Sequence, residues 1–322
     1  MINWGIIGCG DVTEIKSGPA FNQIEKSRLV AVMRRNAAKA ADYATRHQVP
    51  KWYNNVASLI ADPSVNAIYV ATPPSFHEEY VIQALRKGKD VYVEKPMATS
   101  AASCRRIIAA IGAHSGRLCV AHYRRALPMF QSIRQAVIDG RIGRVKMVRL
   151  CLLQSHRSVL ISNTEDNWRV KPEISGGGLF FDLAPHQLDI LIWMLGEAAN
   201  ASGIALNQSA YYAAEDMVCG TMTLNDNIAF SGTWCFTVPE GLREDVCEII
   251  GDKGMIRFAV FGRAYQLNTE SVVNTFTFDH PQHIQQPMIE KVVQYFLGEG
   301  ANPCSAEEAL KSLKVMEAFL GR

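Results

Sequence analysis

Over about its first 120 residues the chain alternates strand-like and helix-like segments, and no other feature of the sequence constrains the fold as tightly. Residues 3–8, NWGIIG, are a short apolar run entering glycines, which predicts a fully buried strand closed by a tight turn. Residues 28–33 predict a second strand, 37–47 an alanine-rich helix, and 66–72, NAIYVAT, a buried strand closed by Pro73-Pro74. Ser75 is placed to cap the next helix, which runs to about Lys87 and stops at Gly88. A strand at 91–93, a helix at 100–113 and a strand at 118–121 follow. This β-then-α order predicts an α/β fold with a doubly wound parallel sheet.

At 322 residues the chain has material for two domains. After Arg124-Arg125 the rhythm changes. A helix at 129–138 ends at Gly140-Arg141-Ile142-Gly143, and from Val145 strands dominate, at 145–153, 217–224, 228–236, 246–250 and 255–258. The turn signals Asn225-Asp226-Asn227 and Gly251-Asp252-Lys253-Gly254 join consecutive runs, which predicts an α+β domain with a mostly antiparallel sheet. The expected domains are residues 1–122, for a dinucleotide, and 123–322, for substrate and oligomerisation. A closing helix over 305–320 has a capping box at Ser305 and Glu308 and an apolar stripe of Leu310, Leu313, Met316 and Phe319, and it can pack back on the first domain.

With 33 basic and 31 acidic side chains the net charge is only +2, which argues against nucleic acid or an anionic membrane as a partner. Small molecules remain. The richest apolar segment, 179–195, is interrupted by Asp182, His186, Gln187 and Asp189, so no membrane span is expected. The first strand begins almost at Met1, which leaves no room for a signal peptide, and eight cysteines without a C-x-x-C pair suit reduced thiols. A cytoplasmic location is therefore expected.

Gly8-Cys9-Gly10-Asp11-Val12-Thr13 follows the first strand directly and is a G-x-G-x-x-G fingerprint with Thr13 in the third glycine's place. Gly8 and Gly10 permit the tight turn and a close approach of backbone to a pyrophosphate, which rests on the following helix start at Asp11 and Val12. At the end of the second strand an NAD site would place a carboxylate. Here stand Met33-Arg34-Arg35, and two guanidiniums suit a 2′-phosphate, so NADP(H) is expected over NAD(H).

Two further groups carry chemistry. The strand Val91-Tyr92-Val93 stops at Glu94-Lys95-Pro96, and the proline keeps Lys95 out of a helix, at the carboxyl end where open α/β sheets bind ligands. Downstream, Ser175-Gly176-Gly177-Gly178 runs into an apolar helix on which Asp182, His186 and Asp189 share a face. Lys95 can stabilise an alkoxide formed by hydride transfer, and His186 can exchange the proton, with Asp182 or Asp189 orienting the ring. The bland alternative is an acidic helix start and a satisfied core histidine. A metal reading of this face, or of His280-x-x-His283, is set aside, and no metal is expected.

Taken together, Gly8-x-Gly10, the Glu94-Lys95-Pro96 strand end, Trp168-Arg169 and the run from Gly176-Gly177-Gly178 to Asp182 and His186 resemble the Gfo/Idh/MocA oxidoreductases. The likeness covers nearly the whole chain, with Thr72-Pro73, His77 and the terminal helix. It implies a Rossmann-type first domain, in which Thr72, Pro73, His77, Glu94 and Lys95 join the cofactor site and Lys95 is catalytic, its bond to Pro96 often cis. It also implies a second domain whose open sheet makes contacts in a homo-oligomer, dimer or tetramer, with Asp182 as substrate-contacting acid and His186 as acid/base. Met33-Arg34 and the overall chain most resemble the NADP-dependent anhydrofructose reductase and dihydrodiol dehydrogenase branch. Tyr123, Arg124, Trp168 and Arg169 are expected substrate contacts by position, suited to a polyhydroxylated ring of a sugar, polyol or ketosugar, with core packing the equal alternative for Trp168. A non-catalytic NAD(P)-binding sensor on the same fold is the competing reading, against which the retained Lys95, Asp182 and His186 weigh.

Overall fold

Six short segments, all but the edge strand Lys51–Tyr53 largely buried, pair in parallel in the computed structural model, which describes residues 1–156, 160, 167–225, 227–270 and 272–322. They are β1 (Ile2–Ile7), β2 (Ser27–Met33), β3 (Lys51–Tyr53), β4 (Ala67–Val70), β5 (Asp90–Val93) and β6 (Leu118–Val120). Their order, β3-β2-β1-β4-β5-β6, changes direction between β1 and β4, which defines the switch point where such sheets bind ligands. The crossovers carry α1 (Asp11–Ile15), α2 (Ala37–Arg46), α3 (Val56–Ala61), α4 (His77–Arg86) and α5 (Ala101–Ala113). Asn36, Asn55 and Ser100 cap three of them through their side chains.

Ser75 is not the cap expected of it. Pro74–Phe76 form a 3-10 turn after Pro73, and α4 begins at His77 without a side-chain cap. The prolines fix the turn that delays the helix, and this carries the His77 side chain to a fully buried position.

The later elements are α6 (Pro128–Ile138), β7 (Val145–Leu153), α7 (Pro172–Ser175), α8 (Gly178–Leu195), β8 (Ala198–Leu206), β9 (Met217–Leu224), β10 (Ile228–Cys235), β11 (Glu244–Gly251), β12 (Gly254–Phe258), β13 (Ala264–Thr269), β14 (Val273–Thr277), α9 (Gln286–Leu297) and α10 (Ala306–Phe319). Eight strands form one sheet of order β14-β13-β12-β11-β7-β10-β9-β8, in which β7 and β10 pair in parallel and the other pairs are antiparallel. Asp252-Lys253 make the expected two-residue link between β11 and β12, while Asp226 of the other predicted turn lies outside the described residues. Sequence periodicity misses β3, β8, β13 and β14. Strands β3, β8 and β14 lie at sheet edges, exposed along much of their length, so no alternation of buried and solvent-facing residues marks them.

By its own contacts the chain divides into two compact units, residues 1–124 with 280–310, and residues 125–279 with 311–322. The return of 280–310 to the first unit differs from the expected assignment of all residues after 122 to the second domain. In the first unit the core is aromatic. Trp4 lies 4.7 Å from Phe21 and 5.7 Å from Phe296 of α9, and Tyr69 stacks on Tyr92 at 5.2 Å. The second unit buries Phe180 of α8 edge-on against Trp234 of β10 at 5.1 Å, and the Trp234 indole N–H donates to Gln187 Oε1 at 2.6 Å. Ser305 and Glu308 form the predicted reciprocal cap of α10, whose stripe of Leu310, Leu313, Met316 and Phe319 is buried.

Candidate active site

The first unit gathers its candidate groups at the carboxyl ends of β1, β2, β4 and β5. Gly8 has φ +93°, and a Cβ there would meet the Ala71 carbonyl carbon at 3.0 Å and the Thr72 side chain at 2.7 Å, so only glycine lets β1 turn against β4. Gly10 is different. A Cβ on it would meet nothing nearer than the Gly8 carbonyl oxygen at 3.9 Å, which leaves the outer side of the turn open. Thr13, which replaces the third fingerprint glycine, donates its hydroxyl to the Gly10 carbonyl at 2.7 Å and accepts the Tyr43 hydroxyl on its own carbonyl at 2.8 Å. The substitution therefore buries no unsatisfied hydroxyl. Burial pushes the Cys9 thiol within the turn up to about 11, which suits a packed side chain and not a nucleophile.

Arg34 follows β2 and reaches across to the turn, with Nη1 3.3 Å from the Cys9 carbonyl oxygen. The exposed Arg35 places its guanidinium 5.1 Å from the centroid of the Phe76 ring. Asp11 and Val12 open the five-residue α1 beside them. The Thr72 hydroxyl oxygen is buried without a hydrogen-bond partner in the chain, and with the open side of Gly10 it is what a bound dinucleotide would satisfy and fill. These residues fit the cofactor.

At the end of β5 the Lys95–Pro96 bond is cis, as the resemblance implies. His77 lies between the two strand ends, with Nδ1 3.0 Å from the Pro96 carbonyl oxygen and Nε2 2.7 Å from that of Thr72. Burial pushes its pKa below the ordinary histidine value, and the two carbonyls oppose that shift. Both ring nitrogens thus face the chain's own carbonyls; a neutral ring carries one N–H and donates to one of them, so His77 packs between the Thr72-Pro73 and Lys95-Pro96 turns and bonds to one of the two. Glu94 is equally engaged. Its Oε1 accepts from the Tyr69 hydroxyl at 2.5 Å and from Gln285 Nε2 at 2.7 Å, and its Oε2 from the Lys95 main-chain N–H at 3.2 Å. Tyr123 and Arg124 are both buried in the 3-10 turn after β6, with the Arg124 guanidinium 5.4 Å from the Tyr123 ring centroid.

In the second unit α8 presents the acidic and imidazole groups, as the spacing predicts. Arg169, in a 3-10 turn before α7, donates from Nε to Asp182 Oδ2 at 3.1 Å, and its guanidinium lies 4.4 Å from the Trp168 ring centroid. Trp168, Arg169 and Asp182 are thus brought together. Arg125 takes both oxygens of Asp189, at 2.9 and 2.8 Å, and the pair is almost wholly buried. Both carboxylates offered by the sequence as orienting groups for His186 are therefore engaged by arginines. His186 is buried and meets the Phe261 ring edge-on at 5.7 Å.

Sequence reasoning missed Arg125 and Gln285 as members of these networks, and it weighed His283 only as a metal ligand. His283 instead lies with Nδ1 2.6 Å from the Ile15 carbonyl oxygen and Nε2 3.1 Å from Gln23 Nε2. Among the described residues no group of three or more His, Cys, Asp or Glu is arranged to hold a metal, and no helix is long and apolar enough to cross a membrane.

A doubly wound parallel sheet with a glycine turn at the end of β1 and its switch point between β1 and β4 is an arrangement that binds dinucleotides. Residues 2–122 match the oxidoreductase family with an NAD-binding Rossmann fold, GFO_IDH_MocA, and residues 130–257 match the GFO/IDH/MocA C-terminal domain. Oxidoreductase P35 of Formosa agariphila is 42% identical over 320 residues, which span 99% of this chain and 98% of that protein. The chain belongs to the Gfo/Idh/MocA oxidoreductase family. The 1,5-anhydro-D-fructose reductase of Ensifer adhaerens is 29% identical over 222 residues, 69% of this chain and 65% of that one. A levoglucosan dehydrogenase in complex with NADH and levoglucosan shares the fold with a TM-score of 0.85 at 19% identity, over 99% of this chain and 96% of that one.

Proposed function

We propose that the enzyme is an NADP(H)-dependent oxidoreductase that passes a hydride between the nicotinamide and a ring carbon of a sugar-like cyclic polyol or ketosugar. The observation that carries this reading is Lys95, held at the carboxyl end of β5 by a buried carboxylate on one side and by the Pro96–His77 contact on the other. A cation fixed at that end of a doubly wound sheet is suited to an oxygen on which negative charge develops. When bound, the nicotinamide supplies or accepts the hydride.

In the reductive direction Lys95 stabilises the alkoxide as it forms, and His186 gives it a proton; in the oxidative direction His186 takes that proton back. Asp182 and Arg169, paired with each other and with Trp168, hold the hydroxyls of the ring, together with Tyr123 and Arg124. Arg34 takes the 2′-phosphate, Arg35 flanks it, and Thr72 donates its hydroxyl to the bound dinucleotide. The substrate class is supported by the likeness to the anhydrofructose reductase and to the levoglucosan enzyme.

The test is a fluorescence titration of cofactor-stripped protein with NADPH and with NADH, on the wild type and on Arg34→Ala. The expected outcome is tighter NADPH binding in the wild type and a loss of about tenfold or more in NADPH affinity in the variant, with NADH affinity nearly unchanged. Equal or tighter NADH binding by the wild type would overturn the assignment of Arg34.

A further inference from the structure

Behind Lys95 the first unit buries a polar network that the proposed reaction does not use. Tyr69 and Tyr92 are fully buried, Gln285 is 1% exposed and Glu94 7% exposed. Gln285 leaves none of its groups idle. Its Nε2 donates to Glu94 Oε1 at 2.7 Å, its Oε1 accepts from the Tyr92 hydroxyl at 3.3 Å, and its main-chain N–H donates to the Lys16 carbonyl at 3.1 Å. Lys16 is the residue that ends α1, the helix of the glycine turn. Two residues earlier His283 approaches the Ile15 carbonyl in the same place. Burial first, and the Glu94 charge next, hold the Tyr69 and Tyr92 hydroxyls well above the usual tyrosine range, so both stay protonated as donors.

Gln285 stands just before α9 and is buried, where a polar side chain costs free energy unless its groups find partners. A carboxamide there serves the groups it bonds. Glu94 Oε1 has two donors, Tyr69 and Gln285, while the other oxygen holds the Lys95 amide. We propose that Gln285 is a positioning residue for Lys95, acting through Glu94, and that the segment 283–285 ties the carboxyl end of β5 to the end of α1. The inference rests on the reading of Lys95 given above. Without the Gln285 donor the carboxylate keeps one anchor on Oε1 and can turn, and the main chain that carries the lysine loses a fixed acceptor.

The experiment is amide hydrogen exchange, resolved by residue, on the ligand-free Gln285→Met protein. Exchange at Lys95 is expected to quicken by about tenfold or more, while amides of Ile6 in β1 and Val32 in β2 keep wild-type rates. Gln285→Asn keeps the amide but shortens its reach; it should fall between the two and serves if the methionine variant does not fold. A Lys95 rate within about twofold of wild type would overturn the proposal, as would an equal rise across β1 and β2, which signals general loosening. In turnover, kcat of Gln285→Met should fall about tenfold with cofactor affinity within about twofold of wild type. An inactive Lys95→Ala beside a Gln285→Met of full kcat would remove this inference alone. Unimpaired turnover in Lys95→Ala would remove the reading of Lys95 and leave the exchange result standing.

Discussion

The candidate groups of the two units are held by different means. In the first unit they sit on main chain at strand ends, where a glycine at φ +93° lets β1 turn against β4 and a buried histidine packs between the Thr72 and Pro96 carbonyl oxygens. In the second unit the acidic and imidazole groups sit on one helix, and two arginines from separate stretches of chain, Arg125 and Arg169, hold the carboxylates of Asp189 and Asp182. Backbone turns tolerate changes of surface charge, because their geometry is set by φ and by neighbouring peptide groups. A helix face organised by ion pairs depends on each charge keeping its partner.

That contrast can be broken at either end. The largest stability effect is expected for Asp189→Asn, which leaves the buried Arg125 guanidinium without its countercharge and should cost about 3–5 kcal/mol in urea denaturation. A cost below about 1 kcal/mol would show that the pair is replaceable and that the second unit resembles the first.

The smaller effect is expected at Glu14 on α1, beside the glycine turn. The Arg46 guanidinium, with help from His47, holds its carboxyl down at about 2 against an ordinary 4.5. A depressed carboxylate contributes stability above its unfolded value, and that contribution is lost as pH falls from about 5 toward 2. Because Arg46 is half exposed, solvent limits the contribution to about 1 kcal/mol at neutral pH. Denaturation of Glu14→Gln should accordingly lose about 0.5 kcal/mol less than wild type between pH 7 and pH 3. An identical loss in both proteins would show that the pair contributes nothing measurable.

The same contrast explains what could be read in the sequence. The glycine turn, the Glu94-Lys95-Pro96 strand end and the capping box at Ser305 are local, and each is spelled by consecutive or closely spaced residues with one physical role. The spacing of Asp182, His186 and Asp189 was legible too, because helical periodicity alone puts them on one face. Their partners were not. Arg125 meets Asp189 across 64 positions and Gln285 meets Glu94 across 191, and a single sequence carries no periodicity that links such pairs. The return of residues 280–310 to the first unit was hidden for the same reason. Ser75 misled because a capping side chain looks the same in sequence whether the turn after two prolines is α or 3-10.

The most direct test of the central claim is turnover by Lys95→Ala with NADPH and 1,5-anhydro-D-fructose, or whichever ketosugar the wild type reduces, measured beside NADPH binding. The account predicts a kcat lower by about a thousandfold with the fold and NADPH affinity nearly unchanged. A Lys95→Ala enzyme that binds NADPH and turns over at the wild-type rate would contradict it.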